Sequence, residues 1–154
     1  GSLQNTAWYG LGPQENYPDS HAAASMGIYE STVDGMQTSY VYPQENGHRE
    51  QVKWFALSDE TKTLLCRTEG GLGMNLSNCT DESLEKARYP HEIERSSDVV
   101  IHLDYRHSGL GSNSCGEEQL EEYKVKRQDF AMTFTLEIVG RDEILEETGK
   151  QYLD

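Results

Sequence analysis

The chain has 154 residues, with 27 acidic side chains against 13 basic ones and a formal charge of −14. That balance repels phosphate backbones and anionic headgroups, which excludes nucleic acid and membrane surfaces as natural partners. The hydrophobic fraction of 35% and mean hydropathy of −0.75 are thin for a self-sufficient globule, and fit antiparallel sheets with one wet face or a chain that lacks a neighbour.

No apolar run approaches the roughly 20 residues of a membrane helix, and no basic-then-apolar leader opens the chain. The expectation is a cytoplasmic protein. Gly1-Ser2 reads as a cleavage scar, with residues 1–7 a lead-in. Cys66, Cys79 and Cys115 are an odd number at wide spacing, so they are read as reduced thiols. Asn78-Cys79-Thr80 fits a glycosylation tripeptide but is read as chance.

In chain order, the stretch to Tyr42 is rich in Gly, Pro, Asn and Tyr and is expected to be mostly loop with short strands. Gln51 to Leu57 places apolar residues on both faces and predicts a strand buried on both sides. Asp59 to Lys62 turns the chain, and Thr63 to Arg67 returns as the second strand of a hairpin. Gly70, Gly71 and Gly73 are expected to separate that strand from a short segment at Met74 to Ser77.

Thr80 before Asp81 and Glu82 is an N-cap with acids where the helix dipole favours them. Pro90 limits the result to one helix over 81–88. Asp98 to Tyr105 alternates as a strand, and the loop His107 to Gly116, HSGLGSNSCG, follows it. The cleanest period-two pattern runs from Phe130 to Val139. Residues 141–154 form an acidic tail. Short strands between turn signals predict a mainly β, antiparallel β-sandwich with one short helix.

Chemistry is sparser than architecture. A glycosidase site needs two carboxylates about 5–10 Å apart across a sugar, and no pair of acids stands out. His102, Asp104 and His107 fall in one segment, HLDYRH, which suits either a metal or a buried hydrogen-bond network. Trp8, Tyr9, Tyr17, Tyr40 and Tyr42 could stack on sugars, though core packing is the commoner role. The string PQEN occurs at Pro13 to Asn16 and again at Pro43 to Asn46, and is read as two similar turns.

WYGLGPQENYPD, Trp8 to Asp19, resembles the motif that opens the last part of the large bacterial β-galactosidases of glycoside hydrolase family 2. The resemblance continues through VYPQENGHRE, VKWFAL, ARYPHEIE, IHLDYRHSGLGSNSCG and FTLEI, and so covers residues 8–140. It implies a C-terminal sandwich, part of a galactose-mutarotase-like supersandwich, beside a (β/α)8 barrel that carries two catalytic glutamates. Neither glutamate motif, nor the segments that bind the family's Mg and Na ions, is found here. The expectation is therefore a non-catalytic piece with no cofactor of its own, whose partners are the remaining enzyme and its galactosides.

The resemblance also implies that the loop matching Gly109 to Gly116 reaches the active-site mouth. Asn113, Ser114 and Cys115 are the substrate-binding candidates. Cys115 stands where relatives often have a Trp that stacks on the leaving sugar, and Glu117 where they often have Pro. Two alternatives stay open: an autonomous galactose-binding sandwich, and a mutarotase-like enzyme using His102 or His107. A piece with missing neighbours is also expected to self-associate through exposed strand edges.

Overall fold

A computed structural model describes residues 2–110 and 118–140. Six antiparallel strands dominate it: β1 (Asn5–Gly12), β2 (Ser25–Thr32), β3 (Arg49–Ser58), β4 (Lys62–Ser77), β5 (Val100–Asp104) and β6 (Phe134–Gly140). A single α-helix, α1 (Asp81–Lys86), is capped by Thr80, whose side chain accepts from the Ser83 backbone N–H. Among the described residues the architecture is mainly antiparallel β with one α-helix, as the sequence pattern implies, and is consistent with a β-sandwich domain.

The strand order is β2-β1-β3-β4-β5, with β6 also on β4. β3 occupies one edge of β4. The other edge is shared end to end, by β6 opposite Lys62 to Thr68 and by β5 opposite Gly73 to Ser77. Sixteen residues make β4 long enough to seat both. The glycines therefore do not divide it into two strands, as the sequence pattern predicted. Gly70 and Gly71, at φ +84° and +87°, bend the strand between its two partners in a conformation that costs other residues. Opposite them, the β3–β4 register slips on both sides of Val52, and Gln51 sits at φ 56°. This is how a bulge re-aims a strand.

The opening stretch is also more regular than expected, because β1 and β2 are eight-residue strands paired along their whole length. Local composition concealed this, since tertiary pairing overrides the weak strand propensity of Gly and Asn. Elsewhere the ends move: α1 stops at Lys86, β5 covers only Val100–Asp104, and β6 begins at Phe134. The β3–β4 hairpin turn lies where the sequence puts it. The Asp59 carboxylate accepts the backbone N–H of Thr61 and Lys62, and these bonds hold it down at about 2.

The core follows a cross-strand row. Tyr29, Trp8, Phe55, Cys66 and Leu136 stand opposite one another across β2, β1, β3, β4 and β6. Trp8, Phe55 and Cys66 are buried with Val33, Met36, Val52, Leu57, Met74 and Leu76. A smaller cluster of Trp54, Ala56 and Leu65 covers the other face. At β6 the burial gives out: Cys66 is 0% exposed and its neighbour Leu136 is 54%. Ile138 at 65% and Phe134 at 38% flank it, so an apolar stripe lies open along β6. Phe55→Ala should cost about 3–5 kcal/mol of unfolding free energy in urea titrations, the range for emptying a large core site. Ile138→Ser should stay within about 0.5 kcal/mol, as exposed sites do.

Candidate functional site

The two PQEN strings fold into matching turns and interlock. In each, the Asn amide donates to the carbonyl two residues back, Asn16 to Gln14 at 3.1 Å and Asn46 to Gln44 at 2.9 Å. Each amide oxygen accepts a backbone N–H from a neighbouring segment, Glu50 at 3.0 Å and Thr38 at 2.8 Å. Each Glu accepts a tyrosine hydroxyl from beside the other turn. Tyr17, after the first string, donates to Glu45 of the second at 3.2 Å, and Tyr40, before the second, donates to Glu15 of the first. Glu15 also takes the Gly47 N–H at 2.8 Å.

Buried Arg49 staples the pair together. Its guanidinium donates to Pro13 O at 3.1 Å and to Gly47 O at 2.8 Å, and lies 5.2 Å from the Trp8 ring centroid. Burial lowers Arg49 to about 10, and the Glu15 and Tyr17 charges only partly offset that. Burial first, then Glu45 and Glu15, pushes the Tyr17 hydroxyl far above the usual phenol range. The hydrogen bond to Glu15 pushes Tyr40 up to about 12.

On this frame rests a layer of rings. Tyr17 stacks on His48 with centroids 5.3 Å apart, meets His107 edge-on at 5.3 Å, and the two imidazoles are 4.5 Å apart. His48 is fully buried because β4 makes room for it: a Cβ on Gly73 would lie 2.5 Å from His48 Cε1. Its Nε2 is 2.6 Å from Glu50 Oε1, and its Nδ1 is 3.7 Å from Asp104 Oδ2. Asn75, two residues along β4 from Gly73, donates to Glu45 Oε1 at 3.0 Å and to Asn46 O at 2.6 Å.

Beside the layer is an open groove of about 740 Å³, within the roughly 300–1,000 Å³ of small-molecule sites. Tyr17, Asp19, Tyr40, Leu110, Glu118 and Tyr123 line it. The base of the loop after β5 is fastened here, with Gly109 N donating to Tyr123 O at 2.9 Å and Leu110 N to Asp19 Oδ1 at 3.2 Å. A Cβ on Gly109 would meet the Asp19 carboxylate at 2.7 Å.

Of the residues singled out by sequence, Asn113, Ser114 and Cys115 lie outside the described residues. The HLDYRH segment divides. His107 joins the ring layer and Asp104 faces His48, whereas His102 lies 3.7 Å from Asp81. Trp8 and Tyr17 are core residues, and Tyr42 is 64% exposed. Asn78 is buried, with its amide donating to Asp98 O at 3.2 Å, so it offers no glycan acceptor. Sequence reasoning missed His48, Glu45, Glu50 and Asn75. The usable signal was the second PQEN copy, which runs directly into Gly-His-Arg-Glu.

The sequence profile of the family described as the β-galactosidase small chain matches residues 1–136. This chain belongs to the β-galactosidase small-chain family. It is 34% identical over 134 residues to a β-galactosidase of Actinobacillus pleuropneumoniae, covering 86% of this chain and 13% of that protein. Against the β-galactosidase of Arthrobacter sp. strain B7 the figures are 31%, 88% and 14%, and against that of Kluyveromyces lactis 30%, 88% and 13%. The chain thus spans about one seventh of the length of these relatives. The motifs Trp8 to Asp19 and Val41 to Glu50, which carried the resemblance, form the interlocked turns.

Because the tyrosine protons are held in the folded state, their stabilising effect is complete below pH ~10, the ordinary phenol value. It is lost as pH rises toward the folded-state value of about 12 for Tyr40. The urea midpoint should fall across that window. Tyr40→Phe should flatten the fall, and an unchanged slope in the variant would contradict the assignment.

Proposed function

We propose that this chain acts as a non-catalytic module of a β-galactosidase, completing the sugar pocket and supporting assembly of an enzyme that hydrolyses terminal β-galactosides such as lactose. The observation that carries this reading is the family match over residues 1–136 by a chain equivalent to only 13% of a full relative. The carboxylates of the two turns agree with it. Glu15 and Glu45 each accept hydrogen bonds on both oxygens from tyrosine, amide and backbone donors, which ties them into the frame rather than leaving them as a free acid and nucleophile.

The groove supplies the second support. Leu110 and Glu118 both line it, and Asn113, Ser114 and Cys115 lie between them in sequence, which supports keeping these three as the substrate-contact candidates. The apolar stripe of Phe134, Leu136 and Ile138 favours the rest of the enzyme as the partner that covers β6, with self-association when that partner is missing. No helix among the described residues is long and apolar enough to cross a membrane. Cys66 and Cys79 are buried free thiols, which supports a reducing, cytoplasmic location.

The test is hydrolysis of a chromogenic galactoside by the chain alone, and after mixing with the rest of a parent enzyme. Silence alone and turnover after mixing are expected. In the restored complex, Cys115→Trp should lower KM about two- to tenfold, as an added stacking contact of ~0.5–1.5 kcal/mol would. Turnover by the chain alone would contradict the reading. Tight galactose binding by the chain alone would favour an autonomous binding module instead.

A further inference from the structure

The ring layer contains more than packing explains. One donor atom from each of Glu45, His48 and His107 lies within 4.8 Å of the others. We propose that these three residues bind a transition-metal dication of the zinc class, at a site independent of galactoside hydrolysis.

The hydrogen bonds around the two imidazoles carry the argument. His48 Nε2 sits 2.6 Å from Glu50 Oε1, and a carboxylate there calls for Nε2–H as the donor. That places the neutral ring's lone pair on Nδ1. His107 Nδ1 is 2.7 Å from Ser108 O, and a carbonyl only accepts, so its lone pair is on Nε2. Nε2 of His107 points toward Glu45 Oε2 at 3.9 Å. Each histidine thus directs one proton to an oxygen and keeps one lone pair, the arrangement that orients metal-bound histidines and raises their basicity.

His48 Nδ1 is the second observation. The side chain is 0% exposed, and Nδ1 has no hydrogen-bond partner among the described residues. A buried acceptor left in that state normally costs about 1–3 kcal/mol. A cation would complete it. Asp104 Oδ2, 3.7 Å from Nδ1, is available as a fourth ligand. Metal–ligand distances of ~2.0–2.2 Å place tetrahedral ligands roughly 3.4 Å apart, so the donor atoms must close inward by about an ångström. His107 and Asp104 are partly exposed and can make that movement, while Glu45 Oε2 would exchange its hydrogen bond from Tyr17, 3.2 Å long, for the metal.

Two imidazoles with one or two carboxylates select zinc, cobalt or nickel over magnesium and calcium, which prefer oxygen donors. The net charge of −14 draws cations toward the chain. The proposal replaces the sequence expectation of no metal here. It also redraws the HLDYRH reading: His107 and Asp104 pair with Glu45 of the second PQEN turn and with His48, just before β3, and His102 is left out.

The experiment is zinc titration of the untagged chain by calorimetry, with cobalt as a spectroscopic substitute. One zinc per chain is expected, with visible d–d bands for cobalt and a higher Tm when zinc is present. His107→Gln and Glu45→Gln should each weaken zinc binding at least about tenfold, the scale on which even outer partners of metal ligands act. His102→Gln should leave it unchanged. His107→Gln replaces a partly exposed ring, so its folding can be checked by circular dichroism before titration. No zinc binding would overturn the proposal. Binding by His107→Gln equal to the parent chain, or loss in His102→Gln, would overturn it equally.

Discussion

The rest of this structure depends on a reciprocal exchange of hydrogen bonds: Tyr17 donates to Glu45 and Tyr40 donates to Glu15. Each turn thereby holds the other, and Arg49 ties both backbones from beneath. Hydrogen bonds to charged acceptors in a partly dry setting are among the stronger ones, and each is costly to leave half made. The exchange makes a polar layer rigid where a thin hydrophobic core could not. It also sets the position of His48, whose backbone carbonyl accepts from Asn16 N at 2.9 Å.

From that frame the functional features follow in order. β4 admits His48 by carrying glycine at position 73. β5 brings Asp104 and His107 to the same place, and the chain after it is fastened to Asp19 and Tyr123. The groove beside Tyr17 and Tyr40 therefore has a fixed wall. Preorganised contacts of this kind lose less entropy when a ligand arrives. Along β6, Phe134, Leu136 and Ile138 stay exposed among the described residues.

Much of the architecture was legible from period-two patterns and turn chemistry. β3, the hairpin turn at Asp59, the Thr80 cap and the strand around Leu136 all sit close to where residue spacing puts them. β1 and β2 were hidden because their stability comes from pairing with each other and with β3, which local propensity does not record. The long β4 was hidden by glycines that read as breaks. In the fold they bend one strand and make space for an imidazole.

The candidate site was less legible for a related reason. Its members come from the first turn, the second turn, β3, β4 and the end of β5, so no short window contains it. HLDYRH offered three candidates on one segment, and the fold kept two and turned His102 toward Asp81. The PQEN repeat was visible, but similarity of two turns does not reveal that each supplies the acceptor for the other's tyrosine.

The most direct measurement of this account is a double-mutant cycle on unfolding free energy with Tyr17→Phe and Tyr40→Phe. If the two turns hold each other, the losses are non-additive, with a coupling of about 0.5–3 kcal/mol, as for residues in one network. Strict additivity would mean that the turns stand independently and that the reciprocal exchange does not organise the site.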